Sequence, residues 1–242
     1  MRKSRRVSER LYFRQRLSGR DFATESALAR QMANFTYVVG DAQTREVLLV
    51  DPAYSPQDHL AFLALEDLTL VGIVATHYHA DHIGGNLMGH MVPGIAEIAA
   101  VVDVPIHVQA SEETWVTKGT GLGVPPVLPH EPGDVICVGS IDITLLHTPG
   151  HTQGSQCLSF EGRLVSGDTL FLSGCGRTDL PGSDPREMYV SLQERLAHLP
   201  DETVLYPGHF YSPEPFATLG EVRAHNAVLT PRSVDEWLAN FA

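Results

Sequence analysis

The chain has 242 residues, 43% hydrophobic and 19% charged, which excludes disorder, collagen and coiled coil and leaves one large domain or two small ones. Its net charge of −12 is uneven: residues 1–20 carry eight basic side chains against Glu9, a sum of +7, so the remaining residues carry −19. An acidic body repels phosphate backbones, so no nucleic-acid partner is expected, and no run approaches the roughly eighteen apolar residues of a membrane-spanning helix.

The first twenty residues are basic and lack an apolar core, so they do not read as a secretory signal. Cys137, Cys157 and Cys175 are scattered and form no CxxC pair, which fits a reducing compartment. The chain is therefore expected in the cytoplasm. Residues 1–21 are expected as a basic N-terminal arm, with Met1 to about Ser8 a solvated tail, and residues 22–242 as one domain.

Phe35–Val39 and Glu46–Val50 read as strands joined by a turn at Asp41-Ala42-Gln43. Pro56 opens a helical stretch with Leu60, Leu63, Ala64 and Leu68 at helical spacing. Leu70–Ala75 has the pattern of a short buried strand and stops at Thr76-His77, and residues 85–102 read as partly helical. Ile106–Val108 reads as a strand, and Ser111 as the cap of a short helix ending near Gly119. Val135–Val138 and Ile141–His147 flank a turn at Gly139-Ser140, and Ser155–Phe160 and Arg163–Ser166 form a hairpin around Glu161-Gly162. Pro185–Leu199 predicts a helix with Met188, Leu192, Leu196 and Leu199 on one apolar face. Thr203–Tyr206 is a further strand, and Ser233–Phe241 a terminal helix with Ser233 and Glu236 as a capping box. Strands interleaved with helices that must cover both sheet faces predict a layered α/β or α+β sandwich.

Chemistry concentrates where these strands end. Four ligand-type side chains, His77, His79, Asp81 and His82, follow one apolar strand within six residues, and His151, Asp168 and His209 each follow another beside a Gly or Pro turn. Imidazoles and carboxylates suit zinc, iron and manganese without a thiolate. His77 and His79 alternate by two, so an extended loop aims both the same way, and Asp81 and His82 aim at a second point nearby. With His151 closing one set and His209 the other, Asp168 is the natural bridge between two metals about 3.5–4 Å apart. A lone histidine is ordinarily a surface or hydrogen-bonded residue, and His59, His90, His107, His130, His198 and His225 read that way. Asp168 by itself also suits a turn. Crowding three histidines and an aspartate without a metal would leave charges and donors unsatisfied, so that cluster reads as a metal site.

At HYHADH the sequence resembles the signature of the metallo-β-lactamase fold superfamily, and HTPGHT, SGDTLF and YPGH match it in the same order, over about Met32 to His225. The resemblance implies a single-domain, four-layer αββα sandwich with a metal site at one edge. It implies that His77, His79 and His151 hold one divalent ion, that Asp81, His82 and His209 hold a second, and that Asp168 bridges them; zinc is expected, with iron or manganese as alternatives. GDTLFLSGCGRTDLPGSDPREMY and GHFY are most similar to the glyoxalase II and persulfide dioxygenase branch. By that likeness Tyr211 contacts the thiol-carrier part of the substrate. Arg177 either grips a substrate carboxylate by a two-pronged contact or braces its own loop, and Cys175 packs rather than reacts. Asn86–Asp103 is insertion-like, and the 33 residues after His209 contain only Arg223 and Arg232 as basic groups, where larger glyoxalase II enzymes carry a helical glutathione-binding domain.

The implied function is a thioesterase of glyoxalase II type, in which a metal-bridging hydroxide attacks a thioester carbonyl and Asp81 guides the proton. The alternative is a persulfide dioxygenase with a single iron, for which two histidines and one carboxylate suffice. Either way the expected partner is a small thioester or thiol-derived substrate, with no nucleic acid and no membrane, and a homodimer is left open.

Overall fold

The computed structural model describes residues 10–122 and 126–241. β-Branched and apolar runs gather into two six-stranded sheets. The first holds β1 (Leu11–Leu17), β2 (Phe35–Asp41), β3 (Glu46–Val50) and β4 (Thr69–Val74). A separate hairpin of β5 (Gly85–Leu87) and β6 (His90–Val92) follows, and β7 (Ile106–Gln109) and β8 (Val127–His130) complete the first sheet, in the order β1-β2-β3-β4-β7-β8. Its β1–β2–β3 part is antiparallel, and β3, β4, β7 and β8 run parallel. The second sheet holds β9 (Val135–Val138), β10 (Ile141–His147), β11 (Gln156–Phe160), β12 (Arg163–Gly167), β13 (Val204–Pro207) and β14 (Ala217–Thr218). Its neighbours are antiparallel except β12 and β13.

The helices are α1 (Ala27–Met32), α2 (Pro56–Leu65), α3 (Ala80–Ile83), α4 (Ile95–Ala99), α5 (Glu113–Thr120), α6 (Pro185–Val190), α7 (Leu219–His225) and α8 (Val234–Phe241). No helix of the described residues is long and apolar enough to cross a membrane.

The layers follow from side-chain alternation. On β2, Phe35, Tyr37 and Val39 face the second sheet and pack with Ile141, Ile143, Leu145, Leu158 and Val165. Val38, pointing the other way, joins Leu49 and Ile73 beneath Leu63, Ile95, Ile98 and Val116 of the helices. On the far side Leu164 and Leu205 pack under Met188, Leu192, Leu196 and Trp237. Every residue of β2 is therefore buried, and the order of layers is αββα, as the family resemblance implied. Each fully buried Leu or Ile contributes roughly 1.5–3 kcal/mol, so the contact between sheets, rather than any turn, decides how they dock. Asp41 adds a polar tie, accepting from the N–H and hydroxyl of Ser140 in the β9–β10 turn, both at 2.8 Å.

The predicted strands appear with small shifts at their ends. The basic arm expected over residues 1–21 is different: from Leu11 it is strand β1, paired with β2 along its whole length. Leu11, Phe13 and Leu17 face the core between the sheets, and the arginines alternating with them masked that period in the sequence. The tail expected over Met1 to about Ser8 lies outside the described residues. Residues 85–102 hold the β5–β6 hairpin before the short α4. Ser111 does not cap α5 but lies inside a 3₁₀ turn, Ala110–Glu112, that precedes it. The helix expected over Pro185–Leu199 opens as α6, capped by Asp184, and widens into a π-type turn at Ser191–Arg195. Ser233 caps α8 through the Glu236 N–H, but the Glu236 carboxylate accepts from the Arg232 N–H, so the box is not closed.

Arg16 of β1 is buried, standing 4.2 Å over the Phe62 ring and 3.2 Å from His59 Nδ1. A guanidinium only donates, so Nδ1 accepts and Nε2–H donates to the Ala53 carbonyl. Burial lowers the His59 pKa to about 4, with the Ala53 carbonyl opposing and Arg16 assisting. The unfolded ring titrates near ~6.5. As pH falls from that value toward the folded one, the unfolded chain takes up a proton that the folded chain refuses. Stability is then expected to drop by up to about 1.4 kcal/mol per pH unit from this group. His107, also lowered to about 4 by burial, acts with the same sign. In urea titrations across this window, His59→Gln should show a shallower slope than wild type; equal slopes would contradict this account.

Candidate metal centre

The loop that carries His77, His79, Asp81 and His82 begins at Thr76, after β4. Asp168 follows β12, His209 follows β13, and His151 lies in the turn after β10. All open at one edge of the paired sheets, where parallel neighbours point their C-terminal ends together. The backbone is drawn tight there: Phe35 N–H donates to the Gly208 carbonyl at 2.8 Å, and Asn34 forms an antiparallel bridge with His209. A Cβ at Gly208 would come 2.3 Å from Asp168 Oδ1, which explains the glycine before His209.

The structure brings all seven expected ligands together. His77, His79 and His151 form one set, Asp81, His82 and His209 another, and His77, His82 and Asp168 a third between them, each with ligand atoms within 4.8 Å of one another. The rings of His77, His79 and His151 stand nearly perpendicular in pairs, at 85°, 74° and 83°, with centroids 4.6–4.9 Å apart. Asp168 Oδ2 lies 3.6 Å from His151 Nε2 and 3.3 Å from His209 Nε2, and its Oδ1 lies 3.4 Å from His82 Nε2. Asp81 Oδ2 lies 3.5 Å from His209 Nε2 and 3.6 Å from His82 Nε2. Among the described residues, no other histidine belongs to such a set.

The outer nitrogens fix the rings. Thr76 Oγ1 donates to Asp51 Oδ2, so it accepts from His77 Nδ1–H at 3.0 Å. His82 Nδ1 bonds Asp51 Oδ2 at 2.9 Å, His151 Nδ1 the Arg177 carbonyl at 2.8 Å, and His209 Nδ1 the Met32 carbonyl at 2.8 Å. In each case an oxygen acceptor holds the Nδ1 proton and turns Nε2 inward, the arrangement that orients metal-binding imidazoles.

Electrostatics agree with a cation's place. Burial disfavours charge on Asp168, yet His209 and His82 hold its carboxyl well below the usual range. Burial opposes charge on His82 as well, but Asp168 and Asp81 raise its pKa well above ordinary. His77 is depressed far below by burial and, less, by the neighbouring imidazoles of His82 and His79, and burial lowers His79 to about 4. Within the centre, two buried atoms, His77 Nε2 and Asp168 Oδ1, have no hydrogen-bond partner. Buried polar atoms rarely stay unpaired, and these two point where a divalent cation would satisfy them. The residues fit a divalent metal site.

Sequence reasoning missed Asn34 and Asp51. Asn34 Nδ2 donates to Asp81 Oδ2 at 3.0 Å, and its Oδ1 accepts from the Tyr54 hydroxyl at 3.0 Å. A single asparagine before a strand carries no periodic signal. Asp51, visible only as the end of β3, adopts φ +53 and fixes two ligand-bearing segments through Thr76 and His82.

Of the expected substrate residues, Tyr211 lies flat on His209, with centroids 4.6 Å apart and planes 10° apart, and is 55% exposed. Arg177 forks its guanidinium onto Asp179 at 2.8 and 2.9 Å at the surface, and its carbonyl is the part that reaches the centre. Burial pushes the Cys175 thiol up to about 12, which suits packing.

The model of the "Metallo-beta-lactamase superfamily" matches residues 29–209. The human mitochondrial persulfide dioxygenase ETHE1 is 32% identical over 228 residues, 90% of this chain and 82% of that protein. A hydroxyacylglutathione hydrolase from Polaromonas sp. is 35% identical over 185 residues, 74% of this chain and 62% of that protein. The crystal structure of ETHE1 from Myxococcus xanthus superposes with a TM-score of 0.76 at 29% identity, covering 94% of this chain and 88% of the other. Because the family model spans residues 29–209 and a relative 32% identical covers 90% of it, the chain belongs to the metallo-β-lactamase superfamily.

Proposed function

We propose that this protein is a metal-dependent hydrolase, a thioesterase of glyoxalase II type acting on a small acyl group carried by a thiol. The observation that supports it is Asp168, one buried carboxylate whose Oδ1 lies 3.4 Å from His82 and whose Oδ2 lies within 3.6 Å of both His151 and His209, a shared carboxylate of the kind a two-metal hydrolytic site needs. Bound divalent ions supply Lewis-acid polarisation of the carbonyl and a water acidic enough to react near neutral pH. The chain's own part is preorganisation. Four imidazoles are locked with Nε2 inward. Asp81, steadied by Asn34, is the carboxylate placed to take a proton beside His209. Tyr211 and Phe171, edge to face at 5.5 Å, offer a half-open aromatic wall for the thiol carrier.

The test is elemental analysis of protein purified without added metal, paired with turnover of S-lactoyl and other acyl thioesters. Two metals per chain and thioester hydrolysis are expected; absence of turnover with every thiol carrier would sink this reading. A persulfide dioxygenase is the second reading, favoured by the likeness to human ETHE1 over 90% of this chain. One iron per chain, with oxygen uptake on adding a thiol persulfide, would establish it instead.

Tyr211→Phe keeps the ring on His209 and removes only the hydroxyl. If that hydroxyl contacts the carrier alone, KM should rise by roughly 2–10-fold, one hydrogen bond's worth, with kcat unchanged. A pure kcat loss would place it in the transition state.

A further inference from the structure

The two loops that bring His77, His79 and His151 together start from different sheets, and hydrogen bonds on the ring nitrogens do not hold all three. His77 and His151 each have an acceptor on Nδ1. His79 has none: its Nδ1 faces His151 Nε2 at 2.9 Å, and no hydrogen bond to its other nitrogen occurs among the described residues. Its place must come from the backbone that carries it.

That backbone is held by Glu112, the last residue of the 3₁₀ turn between β7 and α5, a carboxylate only 1% exposed. Glu112 Oε1 accepts from the Tyr78 N–H, between His77 and His79, at 2.7 Å. The same oxygen accepts from the hydroxyl of Thr152, the residue after His151, at 2.8 Å. Its Oε2 accepts from the Gly154 N–H at 2.7 Å. One buried side chain thus joins both ligand loops through three donors. The Tyr78 ring, 4.6 Å from that of His79, is stacked on Trp115 of α5, and its hydroxyl donates to the Pro181 carbonyl. The other set has separate supports, in Asn34 for Asp81, Asp51 for His82 and the Met32 carbonyl for His209.

We propose that Glu112 is a positioning residue of the metal centre: it keeps the His77–His79 loop in register with the His151 loop, so that the first ligand set depends on it and the Asp81–His82–His209 set does not. The inference rests on the metal reading of the site, not on which reaction it performs. Glutamine cannot replace the carboxylate, because its NH₂ must face either the Gly154 or the Tyr78 N–H, donor against donor.

The experiment is a Co²⁺ titration of the full chain followed by visible absorbance, with uptake steps assigned by His79→Ala and His209→Ala. Glu112→Gln should weaken the step that His79→Ala abolishes by about 10-fold or more, in the range for outer partners of ligands, and leave the step that His209→Ala abolishes at its wild-type midpoint. Thr152→Val, which removes one of the three bonds, should shift the same step by less. Unchanged titrations of Glu112→Gln, or equal weakening of both steps, would overturn the proposal. If Glu112→Gln does not fold, Thr152→Val decides, and an unshifted first step overturns it. Wild type with a single step, abolished by His79→Ala, would sink the two-metal reading while this inference still stands or falls on that step. Wild type that binds no cobalt would overturn both.

Discussion

Asp168→Ala is expected to empty both ligand sets at once. The carboxylate lies within 3.6 Å of imidazole nitrogens from three separate loops, on His82, His151 and His209, so no neighbour can take over its position. Removing it also deletes the counter-charge that raises the pKa values of His82 and His209 against burial. A bridging ligand supports several kcal/mol of transition-state charge stabilisation, so kcat should fall by about 10³-fold or more. Bound metal should fall below one ion per chain by elemental analysis. Retained metal together with a retained rate would contradict the bridging role.

Asn34→Ala should act on one side of the centre. Its amide is the only side-chain donor to Asp81 among the described residues, and it also lies 3.2 Å from His82 Nε2. Without it Asp81 loses its orienting bond, and affinity at the Asp81–His82–His209 set should drop about 10–100-fold. Tyr54→Phe removes the donor behind Asn34 and should give a weaker effect of the same sign, of roughly 1 kcal/mol. Competition with a chelator of known affinity measures both. Equal metal retention by wild type and Asn34→Ala would show that Asp81 is held by its helix alone.

What the sequence disclosed and what it hid follow from the range over which each signal acts. HYHADH is legible because four ligand-type residues crowd one strand end, and Asp168 and His209 because Gly and Pro turns isolate them. The supports of those ligands are not legible, because each is one residue far away in the chain. Asn34 reaches Asp81 across 47 residues, and Asp51 reaches His82 across 31. β1 was hidden by its arginines, one of which, Arg16, turns inward onto Phe62 and His59. The expected regular helix after Pro185 changes where Ser191 Oγ donates to the Pro149 carbonyl at 2.6 Å and the Leu196 N–H bonds back to Ser191, five residues earlier. Local propensity continued the helix; a tertiary hydrogen bond altered its pitch.

The bridge between Asn34 and His209 joins the two sheets at the edge where the ligands meet. Each trio draws on both halves of the polypeptide: His77 and His79 with His151, Asp81 and His82 with His209. Neither half alone holds a complete trio, so the centre behaves as a coincidence detector for correct docking. During refolding, ion capture should lag behind helix and hairpin formation, since it waits on partners more than seventy positions apart.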